Sequence, residues 1–426
     1  MLVTVLSLVI ALSILVFVHE LGHYLAAKAS HVVVEEFGFG YPPRLWGGWR
    51  TKGKVVIDGQ EIIIPRNFAL PEGLRSGTLV TYEAAADAKG RQVLTRIAVE
   101  EPEDPSATSA RSVQLLDPGT LLSINAVPFG GFTKMLGEED PNAPGSLASK
   151  SKLSRIFVLS AGALMNLLTA VLFFALAMAL GAPTVAEPEN AVVASVTPGS
   201  PAEAAGLKPG DVVLRADDTE ILTIEGLQQY TQAHLGQPIV LTVQRGEDRL
   251  EISVVPRVSP PQGEGPMGIG LSPRMTIKQY AWYEAIWAGA KQTLGLAGFV
   301  FTVPVQVIRG LIPAELARPV GPVGVGQLVG EAVQYSLDTG WWFPAMQIMG
   351  SLSVALAVTN LLPLPGLDGG RILFVLLEAV RRRRLDPAKE GMVHLIGIAL
   401  LVALMLFITW QDLIHPVPSM NWGSFF

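Results

Sequence analysis

The sequence predicts a polytopic α-helical membrane protein with about four transmembrane helices, a cytoplasmic membrane-associated β region and an extracytoplasmic α+β module. Three observations predict it: apolar residues stand in long unbroken blocks, strand-type runs are confined to the stretches after the first and second blocks, and Lys and Arg gather beside alternate block ends. Half of the 426 residues are hydrophobic, 16% are charged and the mean hydropathy is +0.41, which excludes an ordinary soluble protein. The 43 Gly and 31 Pro follow no period, so a collagen-like chain is excluded, and the Leu, Val and Ala runs exclude intrinsic disorder. With no Cys, thiolate zinc sites and cysteine nucleophiles are excluded, and any metal must be held by His and carboxylate. A net charge of −6 with no basic stripe interleaved with aromatics argues against nucleic acid.

The first span, with its motif, occupies residues 1–29. No charged side chain occurs from Met1 to Val18, and the absence of a positive leader argues against a signal peptide. Residues 30–150 form the cytoplasmic membrane-associated β region, where the run from Val55 to Ile64 carries an Asp58-Gly59 hairpin signal. Pro71 to Ser109 is polar and rich in Ala, Glu and Ser, which predicts a mobile excursion. Pro128-Phe129-Gly130-Gly131-Phe132 reads either as a backbone strand lying at the bilayer interface or as an ordinary hairpin turn.

The second span lies within 151–181. An outer α+β module at 185–258 carries strand runs at 191–196, 211–216, 239–244 and 250–256, and helical stretches at 202–206 and 224–234. Residues 275–340 are expected to hold interfacial, amphipathic helices. The stretch 286–308 competes as a fifth span, but Lys291 and the aromatics Trp282, Tyr283 and Trp287 favour the interface. The third span, 342–380, is broken by Pro363 and Pro365, and the fourth covers 391–412. Lys28, Arg44, Arg50, Lys150, Lys152, Arg155 and Arg381 to Arg384 then share one side, the cytoplasmic one.

His19-Glu20-Leu21-Gly22-His23 carries the most chemistry. Residues four apart share a helix face, so both imidazoles can reach one cation while Glu20 lies one step around, placed to hold or deprotonate its water. Such a cluster at the end of an apolar span is costly without a partner. A catalytic zinc needs a third protein ligand and an open position. Few ionisable residues lie within the later apolar blocks, and Asp368, in Asn360-Leu-Leu-Pro-Leu-Pro-Gly-Leu-Asp-Gly-Gly370, is the candidate at matching depth. His31, His234, His394 and His415 read as non-ligands, and Glu378 with Arg381 to Arg384 as topological anchors.

The two motifs resemble those of the site-2 protease family of intramembrane zinc metalloproteases, in its bacterial RseP-type branch. There the helix motif is His-Glu-x-x-His and the distal motif Asn-x-x-Pro-x-Pro-x-Leu-Asp-Gly, matched here at Asn360, Pro363, Pro365, Leu367, Asp368 and Gly369. The resemblance implies that His19, His23 and Asp368 bind Zn2+, that Glu20 is the catalytic base and that Asn360 helps hold the substrate strand. The loop Gly130-Gly131-Phe132 and Gly321-Pro322-Val323-Gly324 are similar to that branch as well. The run Ser200 to Leu214, with its Gly206-Leu207-x-x-Gly210-Asp211 turn, resembles a bacterial PDZ domain, which implies capture of a peptide or substrate ectodomain or, failing that, a spacer.

The implied function is regulated intramembrane proteolysis: cleavage in or near the transmembrane segments of single-pass membrane proteins such as anti-sigma factors, in the bacterial inner membrane. A membrane metalloprotease of the prenyl-protein protease or HtpX kind, with a downstream Glu as third ligand, is the alternative enzyme, and a PDZ-bearing membrane scaffold is the non-catalytic one. Three departures stand out. Gly162-Ala-Leu-Met-Asn166 lacks the family's Pro before the Asn, a single PDZ-like module replaces a tandem pair, and the segment from Gly53 to Gln114 is longer than the family's loop.

Overall fold

The computed structural model describes residues 2–99, 111–137, 142–313, 318–420 and 422–425, and the chain divides into two units. The first comprises residues 1–177 and 282–420, the second 178–281 with 421–426.

The first unit begins with α1 (Leu2–Ala29), capped where His31 takes a left-handed conformation and Val32 N–H donates to the Ala27 carbonyl. Two bent strands follow in the same sheet, β1 (Val34–Arg50) and β7 (Leu121–Met135). Phe37 of β1 pairs with both Thr133 and Leu122, so the first half of β1 is flanked by the two halves of β7, and Arg44 to Arg50 pair in turn with Asn125 to Leu121. The Gly130–Phe132 segment is therefore strand, not a turn: Gly131 pairs with Phe39 and Phe132 with Gly38.

Between β1 and β7 the chain builds a closed five-stranded barrel in the order β2 (Gly53–Ile57), β3 (Gln60–Ile64), β5 (Gln92–Val99), β4 (Leu79–Ala86), β6 (Arg111–Asp117). Asp58 and Gly59 both have positive φ and join β2 to β3 as the dipeptide predicted. The barrel has its own core of Val55, Ile57, Ile62, Ile64, Val80, Leu94 and Val113. The expected mobile excursion over 71–109 thus contains two paired strands as far as residue 99; residues 100–109 lie outside the described residues. The polar composition there is that of strands with one buried face, where only alternate residues such as Val80 and Leu94 need be apolar.

Among the described residues, five helices are long and apolar enough to cross a membrane: α1, α2 (Lys152–Gly181), α5 (Trp282–Ile308), α7 (Phe343–Leu361) and α9 (Pro387–Ile414). The stretch expected at the interface, 286–308, therefore satisfies the same length and composition rule as the others. The helix α6 (Pro322–Thr339) lies against α1, where a Cβ on Gly326 or Gly330 would meet Leu8 or Thr4. Glycines four apart let two helix backbones approach closely.

The Gly321–Gly324 motif has a local cause. The buried Asp412 carboxylate of α9 accepts from Gly324 N–H at 2.9 Å and from Arg318 at 2.9 Å, and a Cβ on Gly321 would lie 2.8 Å from its Oδ2. Residues 362–367 break the chain between α7 and α8 (Asp368–Arg381). Glu378 of α8, read as a topological anchor, is instead 4% exposed and ion-paired with Arg155 of α2 at 2.6 Å, because α8 folds back onto the start of α2.

The second unit holds β8 (Ala182–Val185) paired with β15 (Met275–Lys278), and a sheet ordered β13 (Asp248–Val254), β12 (Ile239–Arg245), β10 (Val212–Ala216), β9 (Ala191–Val196), β14 (Ile269–Pro273), with β11 (Thr219–Glu220) beside β10. Helices α3 (Pro201–Ala205) and α4 (Ile224–Ala233) start on Ser200 and Thr223 caps. The sheet runs past the expected boundary at residue 258 to include β14, whose Gly and Pro hide its strand pattern.

Candidate functional site

Helical spacing puts His19 and His23 one turn apart on the buried face of α1, at 7% and 5% exposure, with Glu20 half-buried beside them. The helix α2 crosses this face at its smallest residue. A Cβ on Gly162 would lie 2.5 Å from His23 Nε2 and 2.6 Å from His19 Cε1, while one on Gly22 would meet the Ala161 carbonyl. Asp368 arrives from the other end of the chain on the first turn of α8, where the helix N-terminus favours a carboxylate. Gly369 and Gly370 allow that turn to fold back, since a Cβ on either would strike the carbonyl of Leu362 or Leu364.

The three ligand-type atoms form a nearly equilateral triangle. His19 Nε2 lies 3.1 Å from Asp368 Oδ2, His23 Nε2 3.2 Å from the same oxygen, and the two ring nitrogens 3.1 Å from each other. A tetrahedral zinc with bonds of roughly 2.0–2.1 Å separates its ligand atoms by roughly 3.3–3.4 Å. The triangle is that size to within a few tenths of an ångström, and a cation accepts lone pairs from all three atoms at once. Among the described residues this is the group of three or more His and carboxylate side chains able to share an ion.

The outer nitrogens are held as such a site requires. His23 Nδ1–H donates to the Val158 carbonyl at 2.9 Å, which turns the Nε2 lone pair toward the cluster. His19 Nδ1 faces the fully buried Asn166 amide at 3.4 Å, and among the described residues Asn166 Oδ1 has no hydrogen-bond partner. The two ends of an amide exchange by rotation. With Oδ1 toward His19, the Nδ1–H has an acceptor, the orphaned oxygen is satisfied, and His19 Nε2 is free to ligate. The sequence alone does not mark Asn166 as a site group; its signal there is a polar residue one turn beyond Gly162 in an apolar span.

Strand β7 runs along α1: Ser13 Oγ donates to the Pro128 carbonyl, Thr133 Oγ donates to the Glu20 carbonyl at 2.9 Å, and a Cβ on Gly130 or Gly131 would collide with Val16 or with the Gly38 carbonyl. Asn360 sits on the last turn of α7, half-buried, and among the described residues its side chain makes no hydrogen bond to the cluster. The missing Pro before Asn166 leaves α2 continuous from Lys152 to Gly181. His31 and His415 lie just beyond the ends of α1 and α9, His234 ends α4 in the second unit, and His394 is buried in α9; among the described residues none of them joins the trio's group.

The sequence profile of peptidase family M50 matches residues 7–56 and 112–404, and so spans both motifs while passing over the barrel strands from β3 to β5. The chain is 30% identical to zinc metalloprotease RasP of Oceanobacillus iheyensis over 96% of its own length and 98% of that protein's. It is 29% identical to zinc metalloprotease RasP of Geobacillus kaustophilus over 96% and 97%, and 26% identical to metalloprotease MmpA of Caulobacter vibrioides over 97% and 96%. The match covers the helix that bears His19 and His23 and the turn that bears Asp368, and on it the chain belongs to peptidase family M50, the site-2 protease family of peptide hydrolases.

Proposed function

We propose that the chain is a zinc-dependent intramembrane endopeptidase in which His19, His23 and Asp368 hold the metal and Glu20 is the catalytic base. The single observation that carries this is the triangle of His19 Nε2, His23 Nε2 and Asp368 Oδ2 with edges of 3.1 to 3.2 Å. Zinc held by these three side chains would supply a water acidified toward a pKa of about 7 and a Lewis acid for the scissile carbonyl. Glu20, one step around the helix from both histidines, takes the proton of the attacking water and delivers it to the leaving amine.

Peptide bonds inside a helix are shielded, so the substrate span unwinds locally before cleavage. The half of β7 at Gly131 to Met135 pairs on one side with β1 and is tied to α1 through Thr133, which supports a role as an edge onto which the unwound backbone adds as a further strand. Asn360 helps hold that strand. The substrates are single-pass membrane proteins, such as anti-sigma factors, in the bacterial inner membrane.

The charge bias supports four crossings: α1, α2, the α7–α8 segment and α9, with the His19 end on the cytoplasmic side. Exposed Trp282, Tyr283 and Trp287, with Lys291 Nζ 5.2 Å from the Trp287 ring, support an interfacial seat for α5. In the outer, PDZ-like unit a groove of about 430 Å³ between α4 and β14 supports peptide capture, since β14 ends the sheet and offers an open edge.

Zinc per chain in detergent-purified protein tests this directly. About one zinc in wild type, lost in His23→Ala and in Asp368→Ala and kept in Glu20→Gln without cleavage, is expected. Wild type without zinc under conditions that do not strip metal ends the proposal, and Asp368→Ala retaining zinc transfers the third ligand elsewhere.

A further inference from the structure

Asp368 follows a tight turn. Leu367 N–H donates to the Leu364 carbonyl at 3.2 Å across Pro365 and Gly366, and Gly366 has φ +96°. Pro followed by a residue of positive φ is the pattern of a type II turn, whose central peptide plane turns its N–H away from the turn's own hydrogen bond. In a segment bounded by two apolar helices, that N–H needs an acceptor from elsewhere.

The acceptor is on the last helix. Gly366 N–H donates to His394 Nδ1 of α9 at 2.9 Å. The rest of the turn is seated on the same helix: a Cβ on Gly397 would fall 2.3 Å from the Pro365 carbonyl oxygen, and a Cβ on Gly366 would touch Ile398 at 3.0 Å. The imidazole is fixed from two further sides. Phe374 of α8 meets it edge-on with ring centres 5.3 Å apart, and its Nε2 faces the Glu390 carboxylate at 3.9 Å, which favours the tautomer with the proton on Nε2 and the lone pair on Nδ1. His394 thus joins α9 to a backbone atom two residues before the carboxylate that meets both α1 histidines.

We propose that His394 is a positioning residue for the metal centre: by accepting the Gly366 N–H it sets the turn that aims Asp368 at His19 and His23. The proposal rests on the assignment of zinc to those three residues. Groups that orient a ligand from behind it typically change metal affinity by about ten- to a hundredfold when removed.

The test is zinc affinity, read by chelator competition on the full chain in detergent, for His394→Leu, His394→Gln and His394→Asn beside Asp368→Ala. The Asn side chain carries its oxygen where Nδ1 stands, whereas the Gln oxygen lies one bond further out. We expect His394→Leu and His394→Gln to weaken zinc about tenfold or more and His394→Asn to stay near wild type. If His394→Leu does not fold, the Gln and Asn pair still decides. Wild-type affinity in all three variants overturns the proposal, and so does an equal loss in all three, which would assign the effect to the ring's bulk. Retention of wild-type zinc by Asp368→Ala would instead sink the ligand assignment, whatever the His394 variants do.

Discussion

A Cβ on Gly162 would stand 2.5 Å from His23 Nε2, so α2 can cross the two histidines of α1 only because this position has no side chain. Gly162→Ala is expected to push the imidazole off the cluster. Zinc affinity should fall about ten- to a hundredfold and peptide cleavage with it, while the helices remain folded. Zinc analysis with circular dichroism checks this, and a Gly162→Ala protein that keeps wild-type zinc would refute the crossing as described.

Asn166 faces His19 Nδ1 from the same face of α2, one turn on. Asn166→Leu leaves that ring nitrogen without its partner, and Asn166→Asp keeps an acceptor. The expected order of zinc affinity is wild type and Asp above Leu, with about tenfold between them. Chelator competition reads the order directly, and equal affinities would remove Asn166 from the site.

Arg155 and Glu378 form a buried ion pair, with side chains 11% and 5% exposed. Glu378→Leu strands the Arg155 charge and should cost about 3–5 kcal/mol, whereas replacing both residues by apolar ones of similar volume should recover much of that loss. Thermal unfolding in detergent of the single and double variants makes the comparison. A single variant as stable as wild type would show the pair to be solvated.

Asp211 in the second unit is fully buried, and Arg245 donates to it twice at 2.7 Å. Burial alone would raise its pKa, but the Arg245 hydrogen bonds and the Lys208 N–H together hold it below the usual carboxylate range. A depressed carboxylate stabilises the fold above its unfolded pKa of about 3.9, and the contribution disappears as pH falls through the lower folded value. The protection factors of the β12 amides, exchange rates corrected for their intrinsic pH dependence, should therefore hold down to about pH 4 and fall below it. Asp211→Asn should lower them at neutral pH as well, and unchanged protection in that variant would count against the pair.

The barrel sits between paired neighbours, since Ile57 of β2 lies opposite Val113 of β6 and the family profile passes over residues 57–111. Replacing residues 58–112 with an Asn-Gly turn, and Val55, Ile57 and Val113 with Thr, should leave a plain hairpin and wild-type zinc content. Loss of zinc in that deletion would show that the barrel supports the metal centre.

Much of this protein is legible in its sequence because the relevant physics is local. Helical periodicity alone puts His19 and His23 on one face, two prolines alone break the segment before Asp368, Asp58-Gly59 alone turns a hairpin, and long apolar runs alone mark helices fit to cross a bilayer. The polar composition of residues 71–99 conceals their strands because a strand with one buried face needs apolar residues only at alternate positions, and because the barrel closes through partners far apart in sequence. One is the parallel contact of Ile63 with Val93.

What the tertiary structure decided are relationships through space that no periodicity carries. His23 and Asp368 meet at 3.2 Å across 345 residues of chain. Gly162 matters for what lies across from it, Asn166 for the nitrogen it faces, Glu378 for the arginine it neutralises, and His394 for the backbone N–H that a type II turn directs toward α9. Gly162, Asn166 and His394 each read as ordinary in their own neighbourhoods, and their roles arise only when separate helices are packed against one another.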